Sequence, residues 1–119
     1  MSAEDLKRHN ENHRMSLAVE AGPFVFLAGL TAVSTRGGSV TVQAKEILKR
    51  IDDHLAMAGT DKSRLVSAQV WLTDITTFDE FNSVWDGWVP AAGKPVRACV
   101  EAALADPALT VEIMVTAYR

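Results

Sequence analysis

The order of helical and strand-like segments is the feature that most constrains the fold of this chain. Apolar residues recur at three- and four-residue spacing over Thr41–Ala58, which predicts a helix with Gly59 at its C-terminal cap. Arg64–Thr73 alternates between apolar and polar residues and predicts a strand. Thr77–Glu80 (TFDE) has the form of a capping box and predicts the start of a second helix. The apolar stripe of that helix comprises Phe78, Phe81, Trp85 and Trp88.

Four further segments have the composition of strands. Ser16–Glu20 and Pro23–Gly29 are β-prone runs separated by Ala21-Gly22, a spacing typical of a hairpin, and Gly37-Gly38 marks another turn. Val96–Ala103 and Thr110–Tyr118 close the chain, joined by a loop that contains Asp106-Pro107. In the resulting order, β-β-α-β-α-β-β, two helices can cover only one face of the sheet. The sequence therefore predicts a two-layer α+β domain.

Length and composition favour one soluble domain. The chain has 119 residues, enough for a single core, which we place at 15–119 after a polar and flexible segment at 1–14. A formal net charge of -3 argues against nucleic acid as a partner. We find neither a secretory signal nor an apolar window of membrane-spanning length, so we expect no membrane partner. The single cysteine, Cys99, cannot form an intramolecular disulfide, which favours a cytoplasmic location.

The two C-terminal strands carry the candidate functional groups. Alternation from Val96 and from Val111 places one apolar face of each strand toward the helices. Arg97, Cys99 and Glu112 are then predicted to share the uncovered face, where the planar fork of an arginine suits the carboxylate of a small anionic metabolite. An ordinary surface ion pair between Arg97 and either Glu101 or Glu112 is the alternative.

Asn82 and two histidines are further candidates. Asn82 follows Phe78 by four residues, which places it beside the buried stripe of the second helix, although an asparagine bonded to nearby backbone would also fit. His9 and His13 stand four residues apart in a polar stretch that lacks the H-E-x-x-H pattern, so we expect no metal site.

Several segments together resemble a known family. Lys94–Glu101 (KPVRACVE) and then Val111–Ile113 (VEI) are similar to the C-terminal signature of the RidA/YjgF/UK114 (Rid) family. The likeness extends over Met15–Arg119, through the early hydrophobic strand that ends at Gly29 and through Thr73–Asn82. It implies a chorismate-mutase-like fold assembled as a homotrimer with clefts between subunits. It also implies an enamine/imine deaminase that converts 2-imino acids to 2-keto acids and ammonia without a cofactor.

The resemblance also implies a role for each candidate residue. Arg97 would hold the substrate carboxylate, and Cys99 would line the pocket with its backbone carbonyl near the imine nitrogen. Glu112 would orient the attacking water and transfer protons, and Asn82 would support the cleft.

This chain departs from the best-known deaminases of the family at two pocket positions. Ala28 and Met15 stand where those proteins carry serine and tyrosine. A metabolite-binding or regulatory trimer that uses the same cleft without catalysis is therefore the alternative function.

Overall fold

Seven strands form one sheet in residues 5–119, the part of the chain that this computed structural model describes. The elements are β1 Leu6–His9, β2 Ala18–Ala21, β3 Phe24–Leu27, β4 Leu30–Thr31, α1 Val40–Met57, β5 Leu65–Leu72, α2 Phe78–Trp88, β6 Val96–Glu101 and β7 Val111–Tyr118. The strands follow the spatial order β1-β2-β3-β7-β5-β6, and β4 pairs with β7. β5 and β6 are parallel because α2 carries the chain back across the sheet, whereas the other pairings are antiparallel.

The predicted α+β order is confirmed, with two strands added. β4 follows Gly29, where the strand predicted over Pro23–Gly29 is interrupted. β1 lies within the segment predicted to be flexible and pairs antiparallel with β2. A hydrogen bond between His9 Nε2 and the buried Glu20 carboxylate holds β1 against β2. The prediction of flexibility extends to residues 1–4, which lie outside the described residues.

The core lies between the two helices and one face of the sheet. Buried residues of α1, such as Ile47 and Ile51, belong to one apolar cluster with Val70 of β5 and Val115 of β7. α1 begins after Ser39, whose hydroxyl accepts a hydrogen bond from the Val42 N–H. Within residues 5–119, no helix combines the length and apolarity that a membrane crossing requires.

Hydrogen bonds link the first turns of the two helices, in place of the predicted capping box. Thr77 precedes α2 as predicted, but its hydroxyl donates to the Asp74 carbonyl and does not cap the helix. The Glu80 carboxylate accepts hydrogen bonds from the backbone N–H and hydroxyl of Thr41, in the first turn of α1. The predicted capping box is therefore wrong, because Glu80 satisfies a free donor of the other helix.

The face of the sheet opposite the helices is largely apolar and exposed. Val96 is the most exposed of its large residues, at 72%. Such a surface is larger than isolated apolar residues on a monomer would produce and is typical of an interface. Its exposed residues include Phe24, Phe26, Val66, Val96, Val100, Met114 and Tyr118.

Candidate active site

Arg97 lies on the helix-covered face of the sheet, so the predicted orientation of β6 is wrong. The parallel register places Arg97 beside Ala68 and Cys99 beside Val70, both of which face the core. Val96 therefore points to the open face. Alternation failed here because β6 is an edge strand with small or apolar residues on both faces, and the rings of α2 accommodate the arginine.

The Arg97 guanidinium is held in place from within its own subunit. Its Nη1 donates a hydrogen bond of 2.9 Å to Asn82 Oδ1. Its central carbon lies 5.3 Å from the ring centroid of Trp85, 5.8 Å from that of Phe78 and 5.9 Å from that of Phe81. Aromatic faces attract a cation without neutralising it, and Asn82 is neutral. The arrangement fixes the fork and leaves its charge for a ligand.

No carboxylate among the described residues forms a salt bridge with Arg97. The alternative of a surface ion pair is therefore wrong, since Glu101 accepts a hydrogen bond from the Ile75 N–H and Glu112 lies on the other face. The side-chain oxygen of Asn82 accepts its hydrogen bond from Arg97 and not from nearby backbone.

Cys99 lies beside Arg97 in a poor position for nucleophilic chemistry. Burial raises the pKa of its thiol, and the positive charge of Arg97 opposes that rise only in part. A thiol with a raised pKa carries little thiolate near neutral pH. The side chain instead packs against the core cluster, so Cys99 can shape the site and offer its backbone carbonyl.

Glu112 lies on the open face, in the middle of a second group of residues. The strand register places it between Thr31 of β4 and Trp71 of β5. Its carboxylate packs directly over Gly29, where a Cβ atom would overlap Oε2. Glycine is therefore required at position 29 for this placement of the carboxylate.

Ala28 and Met15 belong to the same end of the sheet as Gly29. The Ala28 N–H donates to the Leu17 carbonyl at 2.8 Å, which connects it to the loop that contains Met15. Met15 is 46% exposed, at the end of a turn in which its N–H bonds to Asn12 Oδ1. Neither side chain supplies a hydroxyl.

The predicted site residues therefore form two separate groups, one around Arg97 and one around Glu112. Arg97 and Glu112 are two strands apart and are offset by three residues along β5. Standard strand geometry then separates their Cα atoms by about 14 Å, with the side chains on opposite faces. The two groups of one chain cannot contact the same small molecule, so the prediction that Arg97, Cys99 and Glu112 share a face is wrong.

Residues of α1 fix the loop beside Glu112. Burial opposes ionisation of Glu46, but the Thr35 hydroxyl and the N–H groups of residues 33–35 outweigh it and lower its pKa to about 2. Arg50 Nη1 donates to the Thr31 carbonyl at 2.7 Å. Sequence periodicity reveals neither Thr31, which lies in a two-residue strand, nor the role of Glu46, whose partners lie 11 to 13 positions earlier in the chain. The glycine at position 29, within the predicted strand Pro23–Gly29, was the available sign that a separate strand follows.

The group around Arg97 offers a cation and a carbonyl dipole, and the group around Glu112 offers a carboxylate and a hydroxyl. Among the described residues, no three His, Cys, Asp or Glu side chains are grouped so that they could hold a metal ion. The arrangement suits binding of an anion and transfer of protons.

Comparisons with known proteins agree on one family. The family model described as Endoribonuclease L-PSP matches residues 7–119. A RutC family protein of Haemophilus influenzae is 40% identical over 92 residues, which are 77% of this chain and 79% of that protein. Another, from Haemophilus ducreyi, is 44% identical over 75 residues, and the match spans 63% of this chain and 64% of that protein's length. The crystal structure of a YjgF family member from Neisseria meningitidis has a TM-score of 0.88 and 38% identity, covering 97% of this chain and 95% of that one.

Proposed function

This chain belongs to the RidA/YjgF family, and we propose that it hydrolyses small 2-imino acids to 2-keto acids and ammonia. The observation that carries the proposal is the Arg97 guanidinium, fixed by Asn82 and three aromatic rings without a carboxylate partner among the described residues. A planar substrate carboxylate can accept two parallel hydrogen bonds from such a fork.

We further propose that each active site is completed by two subunits of a homotrimer. The split between the Arg97 group and the Glu112 group supports this, because one chain presents them on opposite faces. The exposed apolar face of the sheet supports it as well, since an interface would cover residues such as Val96 and Phe26. In each cleft, one subunit would contribute Arg97, Asn82 and Cys99. Its neighbour would contribute Glu112 and the Ala28–Met15 wall.

The proposed reaction needs little activation by the protein. Water attacks the imine carbon and gives a tetrahedral adduct, after which the carbon–nitrogen bond breaks and ammonia leaves. Glu112 would take a proton from the water and deliver it to the nitrogen, while Arg97 holds the carboxylate in register. The Cys99 backbone carbonyl would accept a hydrogen bond from the nitrogen. We place this reaction in the cytoplasm, in keeping with the single cysteine.

Binding without turnover is the second candidate function, and one observation favours it. Ala28 and Met15 provide no hydroxyl to position a water molecule beside Glu112. Thr31 is the neighbouring residue with a side-chain hydroxyl, and its place opposite Glu112 makes it the candidate replacement. RNA cleavage, which the family description names, gains little support from a net charge of -3.

The direct test uses freshly generated 2-iminopropanoate and measures the rate of its conversion to pyruvate. The wild-type protein should accelerate the hydrolysis, and Arg97→Ala should abolish that acceleration while leaving the trimer intact by analytical ultracentrifugation. Pyruvate binding that depends on Arg97, without any acceleration, would select the binding function. Unchanged turnover in Arg97→Ala would contradict the proposed role of the arginine.

A further inference from the structure

A second recess lies between the two helices, away from both groups of candidate site residues. We call it the interhelix groove; it is an open recess of about 360 Å³ bordered by α1, α2 and the turn at Lys62–Arg64. That volume lies within the range of pockets that hold small molecules. None of its lining residues has a part in the proposed deaminase, so the inference that follows is independent of that function.

Three lysines line the interhelix groove. Lys45 and Lys49 are one turn apart on α1, and Lys62 lies on the opposite wall. The Lys45 side chain forms no hydrogen bond or ion pair within the described part of the chain. Lys49 pairs with Asp53, but both side chains are more than half exposed, at 72% and 59%, and such a pair is weak. The lining thus holds three ammonium groups and one carboxylate, that of Asp52, in a chain whose net charge is -3.

Asp52 holds the aromatic wall of the groove in place. Both oxygens of Asp52 accept hydrogen bonds from Trp88 Nε1 at 3.1 Å, which fixes the indole beside the recess. Lys62 Nζ lies 5.2 Å from the centroid of the Trp88 ring. The groove therefore has an oriented aromatic wall in addition to its ammonium groups, and Leu48 and Val84 extend its apolar part.

Gly87 lines the α2 side of the groove and has no side chain to fill it. It lies in the last turn of α2, where a Cβ atom would meet nothing within 4 Å. Glycine disfavours a helix relative to other residues, and the packing here does not require it. The space that its missing side chain leaves is part of the groove.

We propose that the interhelix groove binds a small organic phosphate monoester. Its phosphate would lie among the lysine ammonium groups and its apolar part against Trp88, Leu48 and Val84. A phosphate monoester carries close to two negative charges near neutral pH and offers three acceptor oxygens, which matches several point-like ammonium groups. A monocarboxylate is matched better by the planar fork of Arg97.

The test follows the indole N–H signals of the three tryptophans by NMR in the full-length protein, with Trp88→Phe assigning the Trp88 signal. Phenyl phosphate is the probe, and inorganic phosphate and phenol represent its two parts. Phenyl phosphate should shift the Trp88 signal to saturation, with an affinity at least about tenfold above that of either part.

Variants locate the binding. Lys45→Glu combined with Lys62→Glu should weaken it at least about tenfold, whereas Lys94→Glu, outside the groove, should change it less than about twofold. Gly87→Leu should fill the recess and abolish binding while the protein stays folded, since leucine favours a helix. Arg97→Ala should retain the wild-type affinity.

Three results would overturn the proposal. They are no saturable shift of the Trp88 signal, undiminished affinity in Gly87→Leu, and loss of binding in Arg97→Ala, which would assign the probe to the Arg97 site.

Discussion

Replacing Gly29 with alanine should displace the Glu112 carboxylate without unfolding the protein. Gly29 does not have the positive φ that disfavours a side chain. A Cβ at position 29 would overlap Glu112 Oε2 and lie 3.2 Å from its Cδ. Non-bonded heavy atoms are comfortable at about 3.5 Å or more, so the carboxylate oxygen must move by about 1 Å.

That displacement sets the size of the expected effect. A catalytic group misplaced by about 1 Å can cost roughly 100-fold in rate, so we expect kcat to fall about that much in Gly29→Ala. The KM for the imino acid should change little, because Arg97 and Asn82 belong to the other group. Stability should remain within about 1 kcal/mol of wild type, since the end of a glutamate is flexible and alanine lowers the entropy of the unfolded chain.

A double-mutant cycle shows whether Gly29 acts through Glu112. Rates of 2-iminopropanoate hydrolysis are measured for Gly29→Ala, Glu112→Ala and the double variant, with urea denaturation as the control for folding. If the alanine acts by moving the carboxylate, it should cost almost nothing once Glu112 is removed. A wild-type kcat in Gly29→Ala, or an equal loss in both backgrounds, would show that Gly29 does not act through Glu112.

Two further predictions concern the loop beside Glu112 and the thiol beside Arg97. The pKa of Glu46 in the folded protein is about 2, below its ordinary 4.5, so its stabilising effect is complete above pH 4.5 and is lost as the pH falls toward 2. Glu46→Gln should therefore cost about 1 kcal/mol at pH 7, discounted for solvent exposure, and less at pH 3; an equal cost at both pH values in urea denaturation would count against this account. Burial raises the pKa of Cys99, so Cys99→Ala should keep kcat/KM within about threefold, and complete loss of activity would show that the thiol takes part in the reaction.

The periodicity of the sequence was sufficient to predict the helices and the main strands. The spacing over Thr41–Ala58 and the position of Gly59 match α1 within one residue at each end, and Gly59 has the positive φ of a C-terminal cap, 81°. These features depend on local sequence alone. The partner of Glu80 does not: its carboxylate bonds to Thr41, a residue 39 positions earlier, which no local pattern reveals.

The orientation of β6 shows a different limit. Val96 and Val100 are the more apolar residues of the strand, yet both are exposed and Arg97 faces the helices. The aromatic rings of α2 and the Asn82 amide make the covered side suitable for a guanidinium. Alternation assumes that the covered side is the more apolar one, and that assumption fails where the neighbouring helix offers aromatic faces and an amide oxygen to a guanidinium.

The candidate site was predicted as a set of residues but not as an arrangement. Sequence likeness identified Arg97, Glu112 and Asn82 without indicating that the sheet separates the first two. In the proposed trimer this separation becomes necessary, because each subunit presents Arg97 to one neighbour and Glu112 to the other. The exposed valines of β6 then belong to the buried interface.

Subunit complementation tests the two-subunit site most directly. Arg97→Ala and Glu112→Gln subunits are co-expressed in equal amounts with different tags, and mixed trimers are purified through both tags. A cleft is intact when one subunit supplies Arg97 and its neighbour supplies Glu112, so each mixed trimer has one intact cleft of three and should show about a third of wild-type deaminase activity. Mixed trimers no more active than either variant alone would contradict a site shared between two subunits.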